Sequence, residues 1–543
     1  MPEKEFNLID EPWVRVLNAD GSTSEVSLWD ALVRAHEFID LGGETQTQNI
    51  AVLRLLLAVV HTVFSRMDEN GEDAPLEDEE MALDRWTALW ENGALPEQPI
   101  AAYLDKWHER FWLFHPERPF MQAVSAENGT KCAASKLIGE LSESGNKLRL
   151  FQSRAGEGKQ SLSYAEAARW LLYLNGFDDA ALKPHIPKDQ RQTTISVAWL
   201  GRLGLLCAKG KNLCETLLLN LTLLKNGSEL WDEARPDWER EVPREEELRK
   251  VAVPNDPAAM LTLRSRLILL SRENGRVNGY GILCGDSFDS ENAFAEQMTV
   301  WRYMPEKKGQ AAYYYPQMHM AEKQMWRDFA NMFAGAEHIR LPGVVEWAAA
   351  LQKHKILDRK EYIQFATVGN RYDSSQKSAV TDSVGDSLTF HTELFGELHA
   401  GWRSRIAEEI QRCDTVAFEL GRLAGNIHIA GGGDTENASD AGKPVKEQWY
   451  AGLDQPFRIW LRSIEPETDA IDEKIGAWQQ EARSMALALG RKLVAQAGEK
   501  ALFGRTIEQK SGSKTKKQHY SAPEAYLWFQ AKIYKEYPKE GQA

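Results

Sequence analysis

Between Ala181 and Asn212 lie Lys183, Lys188, Arg191, Arg202, Lys209 and Lys211, against Asp189 alone. Cations gathered in this way suit the phosphates of a nucleic acid. A solvated surface accounts for them equally well. A second basic run, Lys510 to Lys517, falls in a Ser/Gly-containing stretch that reads either as a DNA contact or as a flexible loop. A third polar segment, Gly369-Asn-Arg-Tyr-Asp-Ser-Ser-Gln-Lys-Ser378, has the composition of a hairpin tip. These segments sit in an acidic chain with 65 Lys and Arg, 80 Asp and Glu and a net charge of −15. That balance argues against a stand-alone nucleic-acid binder but leaves room for a local basic surface.

Residue patterns for catalysis are missing. The chain has no G-x-x-x-x-G-K-[ST], no H-E-x-x-H and no G-x-S-x-G. Gly279-Tyr-Gly-Ile-Leu-Cys-Gly285 has the wrong spacing for a dinucleotide loop and reads as a turn. The 12 histidines form no cluster with metal-ligand spacing, and Cys132, Cys207, Cys214, Cys284 and Cys413 form no C-x-x-C pair. We therefore expect no cofactor, no metal, no disulfide framework and a reducing cytoplasm. The rival reading is a cryptic metal-dependent nuclease or hydrolase on an unfamiliar α+β fold; another is a helical scaffold that binds only proteins. The start, Met-Pro-Glu-Lys-Glu, lacks the features of a signal peptide. The longest apolar run, Val52 to Phe64, is short for a bilayer and carries Arg54 and His61, so no membrane is expected.

The elements that must position these residues change character along the chain. With 543 residues, 43% of them hydrophobic and 27% charged, two to four folded domains are expected. Up to about residue 390, helical and strand-like stretches alternate. Thr47 to Ser65 is apolar nearly all round, as in a buried helix. Ala165 to Leu174 and Leu213 to Leu224 also read as helices, and β-rich stretches surround Leu267 and Val300. Lys225 to Pro257 is charged and proline-rich, which suggests a surface excursion. From Leu398 through Trp402, Ile406, Ile410, Cys413, Val416, Leu420, Leu423 and Ile427, apolar residues recur three or four apart. Trp449 to Ile464, Ile475 to Leu493 and a segment opened by Pro523 repeat that pattern. Four such stripes bury best against one another. The expected fold is α+β: a mixed N-terminal domain over 1–390 and a C-terminal four-helix bundle over 391–543.

Four segments carry a resemblance. The opening Asn7-Leu-Ile-Asp-Glu-Pro-Trp-Val-Arg-Val16 joins His115-Pro-Glu-Arg-Pro-Phe-Met-Gln122, Gly210-Lys-Asn-Leu-Cys-Glu-Thr-Leu-Leu-Leu-Asn-Leu221 and Met298-Thr-Val-Trp-Arg-Tyr303. In this order they resemble the CasA family, large subunits of the type I-E CRISPR surveillance complex, Cascade. The resemblance implies a non-enzymatic subunit that sits at the 5′ end of a guide RNA. Such a subunit reads a protospacer-adjacent motif on double-stranded DNA, helps open the duplex and docks a helicase-nuclease. Its partners would be the guide RNA, the other Cascade subunits, target DNA and that helicase-nuclease. Base pairing reads the rest of the target.

The same resemblance assigns residues. Gln376, flanked by Ser375 and Lys377, corresponds to a wedge pushed into the duplex. Phe151 and Arg154, in Leu150 to Gly158, correspond to a loop that touches guide RNA, by stacking and by a phosphate contact. Gly176 to His185, with Phe177 and Lys183, corresponds to a glycine-rich minor-groove loop. This chain departs from the pattern there: it has one glycine, and Asp178 and Asp179 would repel phosphate. A lysine finger of the family finds no counterpart near Phe294 to Gln297; Lys307 and Lys308 lie nearby.

Overall fold

The computed structural model describes residues 4–139, 141, 154–183, 193–241, 251–335, 338–357, 362–373, 380–511 and 514–538. Two compact units emerge. The first comprises Met1–Lys323, Gly335–Asp358 and Ile363–Ser387; the second comprises Gln324–Ala334, Arg359–Tyr362 and Leu388–Ala543. The fold is thus α+β with a helical C-terminal portion, and the helical unit also takes in residues before 390. Trp326 shows why: its ring stacks on Phe457 at 4.4 Å and its indole N–H donates to Asp454 at 2.9 Å.

Among the described residues of the mixed unit, strands pair in small sheets of two or three. The segment Asp10-Glu11-Pro12 breaks the opening into two strands with different partners. Glu5–Asn7 pairs with Trp112–Phe114, while Val14–Asn18 lies between Thr23–Val26 and Phe38–Leu41. Trp13 is buried between them and donates its indole N–H to the Leu8 carbonyl at 2.8 Å. The Pro-bounded elbow is a rigid joint. Phe111 stacks on Phe120 at 4.8 Å and packs on Trp238 at 5.3 Å. The Gln122 amide donates to the Leu113 carbonyl at 2.7 Å and accepts from the Leu270 N–H at 2.9 Å. Buried Trp238 corrects the reading of 225–257 as a purely surface excursion.

The centre of this unit is the helix Gln46–Arg66, capped by Thr45 and buried on all sides. By length and composition it is apolar enough to cross a membrane, but 94% of its apolar window is buried inside the fold. Its one interior arginine is matched: Arg54 makes a two-pronged ion pair with Glu296 at 2.7 and 2.8 Å, and Trp199 donates to the same carboxylate at 2.8 Å. A buried guanidinium tolerates this position because its charge and donors are met.

In the helical unit the long helices are Ala400–Ala430, Lys443–Arg462, Ile471–Ala495 and Ala522–Glu536. Their stripes meet through Ile406, Leu420, Leu453, Phe457, Trp478, Ala482, Phe529 and Ile533, all buried. Trp460 stacks on Trp478 at 5.2 Å, and Trp449 donates to the Cys413 carbonyl at 3.0 Å. Leu398, expected to open the first stripe, precedes the helix and is 96% exposed. The 510–517 stretch, expected as a loop, belongs to a two-stranded hairpin, Arg505–Ser511 with Lys514–Tyr520.

Candidate nucleic-acid interface

The strands Tyr362–Tyr372 and Val380–His391 follow one another and are neighbours in a three-stranded sheet with Leu205–Lys209. The connection between them carries Ser375, Gln376 and Lys377, which lie outside the described residues. What the structure describes is the base of this hairpin. Asn370 donates its amide to the Tyr173 hydroxyl at 3.0 Å, and the Tyr372 hydroxyl donates to the Phe177 carbonyl at 2.7 Å. Tyr173 and Phe177 belong to the helix Tyr164–Phe177, which starts at a capping box formed by Ser163 and Glu166. Two segments far apart in sequence, 176–183 and 369–373, are therefore hydrogen-bonded to each other. Gly201 permits the fit, because an added Cβ would stand 2.5 Å from the Tyr372 hydroxyl oxygen. Burial pushes the Tyr372 phenol well above its ordinary range, so it stays a donor.

The loop after Phe177 is not the phosphate-repelling surface its sequence suggested. Asp178 and Asp179 are both buried. Asp178 meets Lys183 at 2.6 Å and the Arg266 guanidinium at 2.5 Å, and Asp179 pairs with Lys136. Burial pushes the Asp178 carboxyl up, but Lys183 and Arg266 outweigh it and hold it below the ordinary carboxylate range. Asp179 is moved the other way, by burial and by the charge of Asp178 beside it. Lys183 also donates to the Asp179 carbonyl at 3.2 Å.

These contacts change the expected parts of Phe177 and Lys183. The Phe177 ring is buried and stacked on Tyr173 at 5.3 Å, and the Lys183 ammonium is buried against its own carboxylates. Both side chains are turned into the protein, where they hold the loop in shape. Two more cations of the basic strip from 181 to 212 are engaged within the fold, and Lys211 is exposed. Lys209 pairs with Asp40 at 2.5 Å and Arg202 lies over the Trp199 ring at 5.3 Å, while Lys188 and Arg191 fall outside the described residues. Phe151 also falls outside them. Arg154 is described, and it meets Glu166 at 2.9 Å and Glu44 at 3.9 Å. Lys307 and Lys308 stand at the exposed turn joining Trp301–Met304 to Tyr313–Pro316.

Sequence reasoning missed Asn370, Tyr372 and Tyr173 as anchors. The available signal was an Asn and a Tyr at alternate positions of a strand, which sends both side chains to one face. Their partners could not be read from that spacing.

Among the described residues, no group of three or more His, Cys, Asp and Glu could hold a metal ion. Burial pushes the Cys214 and Cys413 thiols up to about 12, which leaves both protonated and poor nucleophiles at neutral pH.

Comparison with known proteins gives a consistent picture. The family described as CRISPR-associated protein Cse1 matches residues 7–489. A curated relative, CRISPR-associated protein CasA/Cse1 of Thermus thermophilus, is 38% identical over 218 residues, a region that spans 40% of this chain and 40% of that protein. Among solved structures, Thermobifida fusca Cse1 superposes with a TM-score of 0.81 at 29% identity, covering 98% of both chains. Acidimicrobium ferrooxidans Cse1 gives a TM-score of 0.77 at 22% identity, covering 99% of this chain and 100% of that one, a likeness of fold. A chain of a CRISPR RNA-guided surveillance complex gives 0.69 at 17% identity, covering 97% and 99%, again a likeness of fold.

Proposed function

Because the chain belongs to the CRISPR-associated Cse1 family, we propose that it is the large, non-catalytic subunit of an RNA-guided CRISPR surveillance complex in the cytoplasm. In this role it recognises a protospacer-adjacent motif on double-stranded DNA, starts unwinding beside it and docks the helicase-nuclease. Its other partners are the guide RNA and the remaining Cascade subunits. One observation supports the reading above others: the Tyr372 hydroxyl bonded to the Phe177 carbonyl at 2.7 Å. It ties the base of the 369–378 hairpin to the 176–183 loop, the two segments assigned to DNA from separate sequence motifs.

In this reading Ser375, Gln376 and Lys377 act at the opened base step. The Gln376 amide offers hydrogen bonds to bases whose pairing it disrupts, and offsets an unstacking cost of a few kcal/mol per step. Lys377 meets a phosphate. Phe177 and Lys183 shape the neighbouring loop, whose backbone faces the groove. Phe151 and Arg154 serve the guide RNA. Arg154 then exchanges its contacts to Glu166 and Glu44 for a phosphate.

The test uses the assembled complex and measures duplex affinity at several salt concentrations together with the rate of R-loop formation. Gln376→Ala is expected to slow R-loop formation on targets that carry the motif. Lys377→Ala is expected to weaken binding evenly across sequences and to lower the salt slope by about 1. If both variants match the wild type, residues 369–378 are only a surface turn and the assignment fails. Metal-dependent cleavage by the purified chain that disappears with one carboxylate would instead establish a nuclease.

A further inference from the structure

The strand Val380–His391 is the outermost of its three-stranded sheet, with Tyr362–Tyr372 on its inner side and Leu205–Lys209 beyond. The connection 373–379 is too short for a parallel crossover, so the first two strands run antiparallel. The Asp386 carbonyl accepts from the Thr367 hydroxyl at 3.3 Å, which turns residue 386 toward the inner neighbour. In an antiparallel strand the N–H and C=O of one residue point the same way, and those of the next residue point the other way. Residues 381, 383, 385 and 387 therefore turn their backbone groups to the outer edge. There the Ser383 N–H donates to the adjacent Asp382 carboxylate at 2.9 Å, and the Ser387 N–H to Asp386 at 2.7 Å. Thr381, Asp382, Ser383 and Gly385 are exposed. Long edges are usually blunted by Lys, Pro or a bulge, and residues 380–387 contain neither Lys nor Pro.

A cavity of about 470 Å³ adjoins this edge, bordered by Gly385, Asp386 and Ser387 themselves. Leu41, Ile50, Leu53 and Val368 supply apolar walls, and the Asp40–Lys209 ion pair stands among them at 2.5 Å. Gly385 lets the start of the helix Gln46–Arg66 come this close, because an added Cβ would stand 2.0 Å from the Gln46 side-chain oxygen. A strand edge with a side-chain cavity beside it suits an extended peptide: backbone bonds give affinity and the cavity selects a side chain. Charge narrows the occupant. Residues 380–391 hold Asp382 and Asp386 and no Lys or Arg, which disfavours phosphate. A second copy paired antiparallel about Val384 would set Asp382 opposite Asp386, like charge against like. A basic segment meets neither obstacle. Its long side chain lays an apolar stem on the cavity walls and brings its cation to Asp386 and Asp40. Their present contacts leave room for it, since a carboxylate accepts several donors at once.

Resting on the function proposed above, we propose that the outer edge of residues 380–387 takes an extended segment of another protein subunit of the surveillance complex as an added strand. That segment carries Lys or Arg, and one such side chain fills the adjoining cavity.

The test compares the isolated full chain with the complex assembled from guide RNA and the remaining subunits, first without target DNA. Co-elution with those partners checks the underlying function by itself; without it, both readings fall. On assembly, amide hydrogen exchange across 380–387 is expected to slow about ten-fold or more. Ser383→Pro removes one outward donor where an edge strand tolerates proline. It is expected to weaken association with the remaining subunits and guide RNA about ten-fold. Asp382→Lys is expected to weaken it about three-fold, and more at low salt. Unchanged thermal unfolding separates a lost contact from a lost fold. If Ser383→Pro does not fold, wild-type exchange and Asp382→Lys still decide. The proposal is overturned if the chain co-elutes while 380–387 exchanges as fast as in the isolated chain. It is overturned if protection appears and both variants leave it and the affinity intact, since something other than an added strand then covers the edge. Protection that appears only with target DNA, or that grows with the concentration of the isolated chain, gives the edge to nucleic acid or to a second copy and overturns it as well.

Discussion

Lys183 and Lys517 are both lysines held against a carboxylate, and they differ in nearly everything else. Lys183 meets Asp178 at 2.6 Å with side chains 5% and 1% exposed; Lys517 meets Glu508 at 2.9 Å with 71% and 56% exposed. The first pair has lost its water, so each charge depends on the other and on Arg266. The second is hydrated and screened by salt, and costs little to open. A phosphate approaching Lys517 competes with one solvated carboxylate. A phosphate approaching Lys183 would have to break a buried network and leave Asp178 with Arg266 alone. Availability to a ligand is set by burial, which a count of basic residues does not contain.

Removing Asp178 tests the buried side of this comparison hardest. Asp178→Ala leaves Lys183 and Arg266 facing each other in the interior. We expect a loss of about 3–5 kcal/mol, the usual range for breaking a buried pair from one side. Lys183→Met should cost less, because Arg266 still neutralises Asp178. Denaturant unfolding of the purified variants measures both. Lys183→Met with unchanged stability and weakened DNA binding would break the comparison, since Lys183 would then be a contact and not a support.

How much of this was legible depends on the range of the interaction. The four helices were readable because their stripes are local and repeat every three or four residues. The burial of 46–66 was readable because apolar residues surround that helix. The region from 176 to 183 was misread because its partners are remote. Arg266 reaches Asp178 across 88 positions, and Lys136 reaches Asp179 across 43. No local pattern distinguishes a neutralised aspartate from a solvated one. The 510–517 stretch was read as a loop because its Lys, Ser, Gly and Thr give no alternation of apolar and polar residues. Ile507 and Tyr520 pack into the helical unit from the hairpin's base. The 369–378 segment was placed as a hairpin tip by its turn residues, but its anchors reach Tyr173 and Phe177, nearly 200 positions away.

A second prediction uses pH to separate interior from surface. His61 is fully buried, and neither ring nitrogen has a partner in hydrogen-bond geometry. Burial pulls its pKa from 6.5 down to about 4, with the Thr222 backbone acting the other way. The folded state therefore keeps the ring neutral where the unfolded chain protonates it. This stability is fully present above about pH 6.5 and is lost as pH falls toward 4. Two and a half units correspond to about 3 kcal/mol. Unfolding midpoints at pH 7.5, 5.5 and 4.5 should fall more steeply in the wild type than in His61→Asn, whose side chain does not titrate. Parallel curves would mean that His61 is hydrated in the folded state.

The smallest expected effect on stability carries the most direct functional reading. Tyr372→Phe removes one hydroxyl and leaves the ring in place. The Phe177 carbonyl loses the donor it has at 2.7 Å, and an unsatisfied buried acceptor costs about 1–3 kcal/mol. The Asn370 contact to Tyr173 remains, so the hairpin base stays attached at one of its two points. If the joint only stabilises the fold, R-loop formation by the assembled complex should be normal at temperatures well below unfolding. If it sets the position of the 374–378 tip against the neighbouring loop, R-loop formation should slow while binding to duplex without the motif stays constant. The same loss should nearly vanish in a Gln376→Ala background, because a wedge with no amide has nothing left to misplace. Additive losses in the double variant would show that Tyr372 and Gln376 act independently, and the proposed link between the buried network and a DNA-reading role of Gln376 would fail.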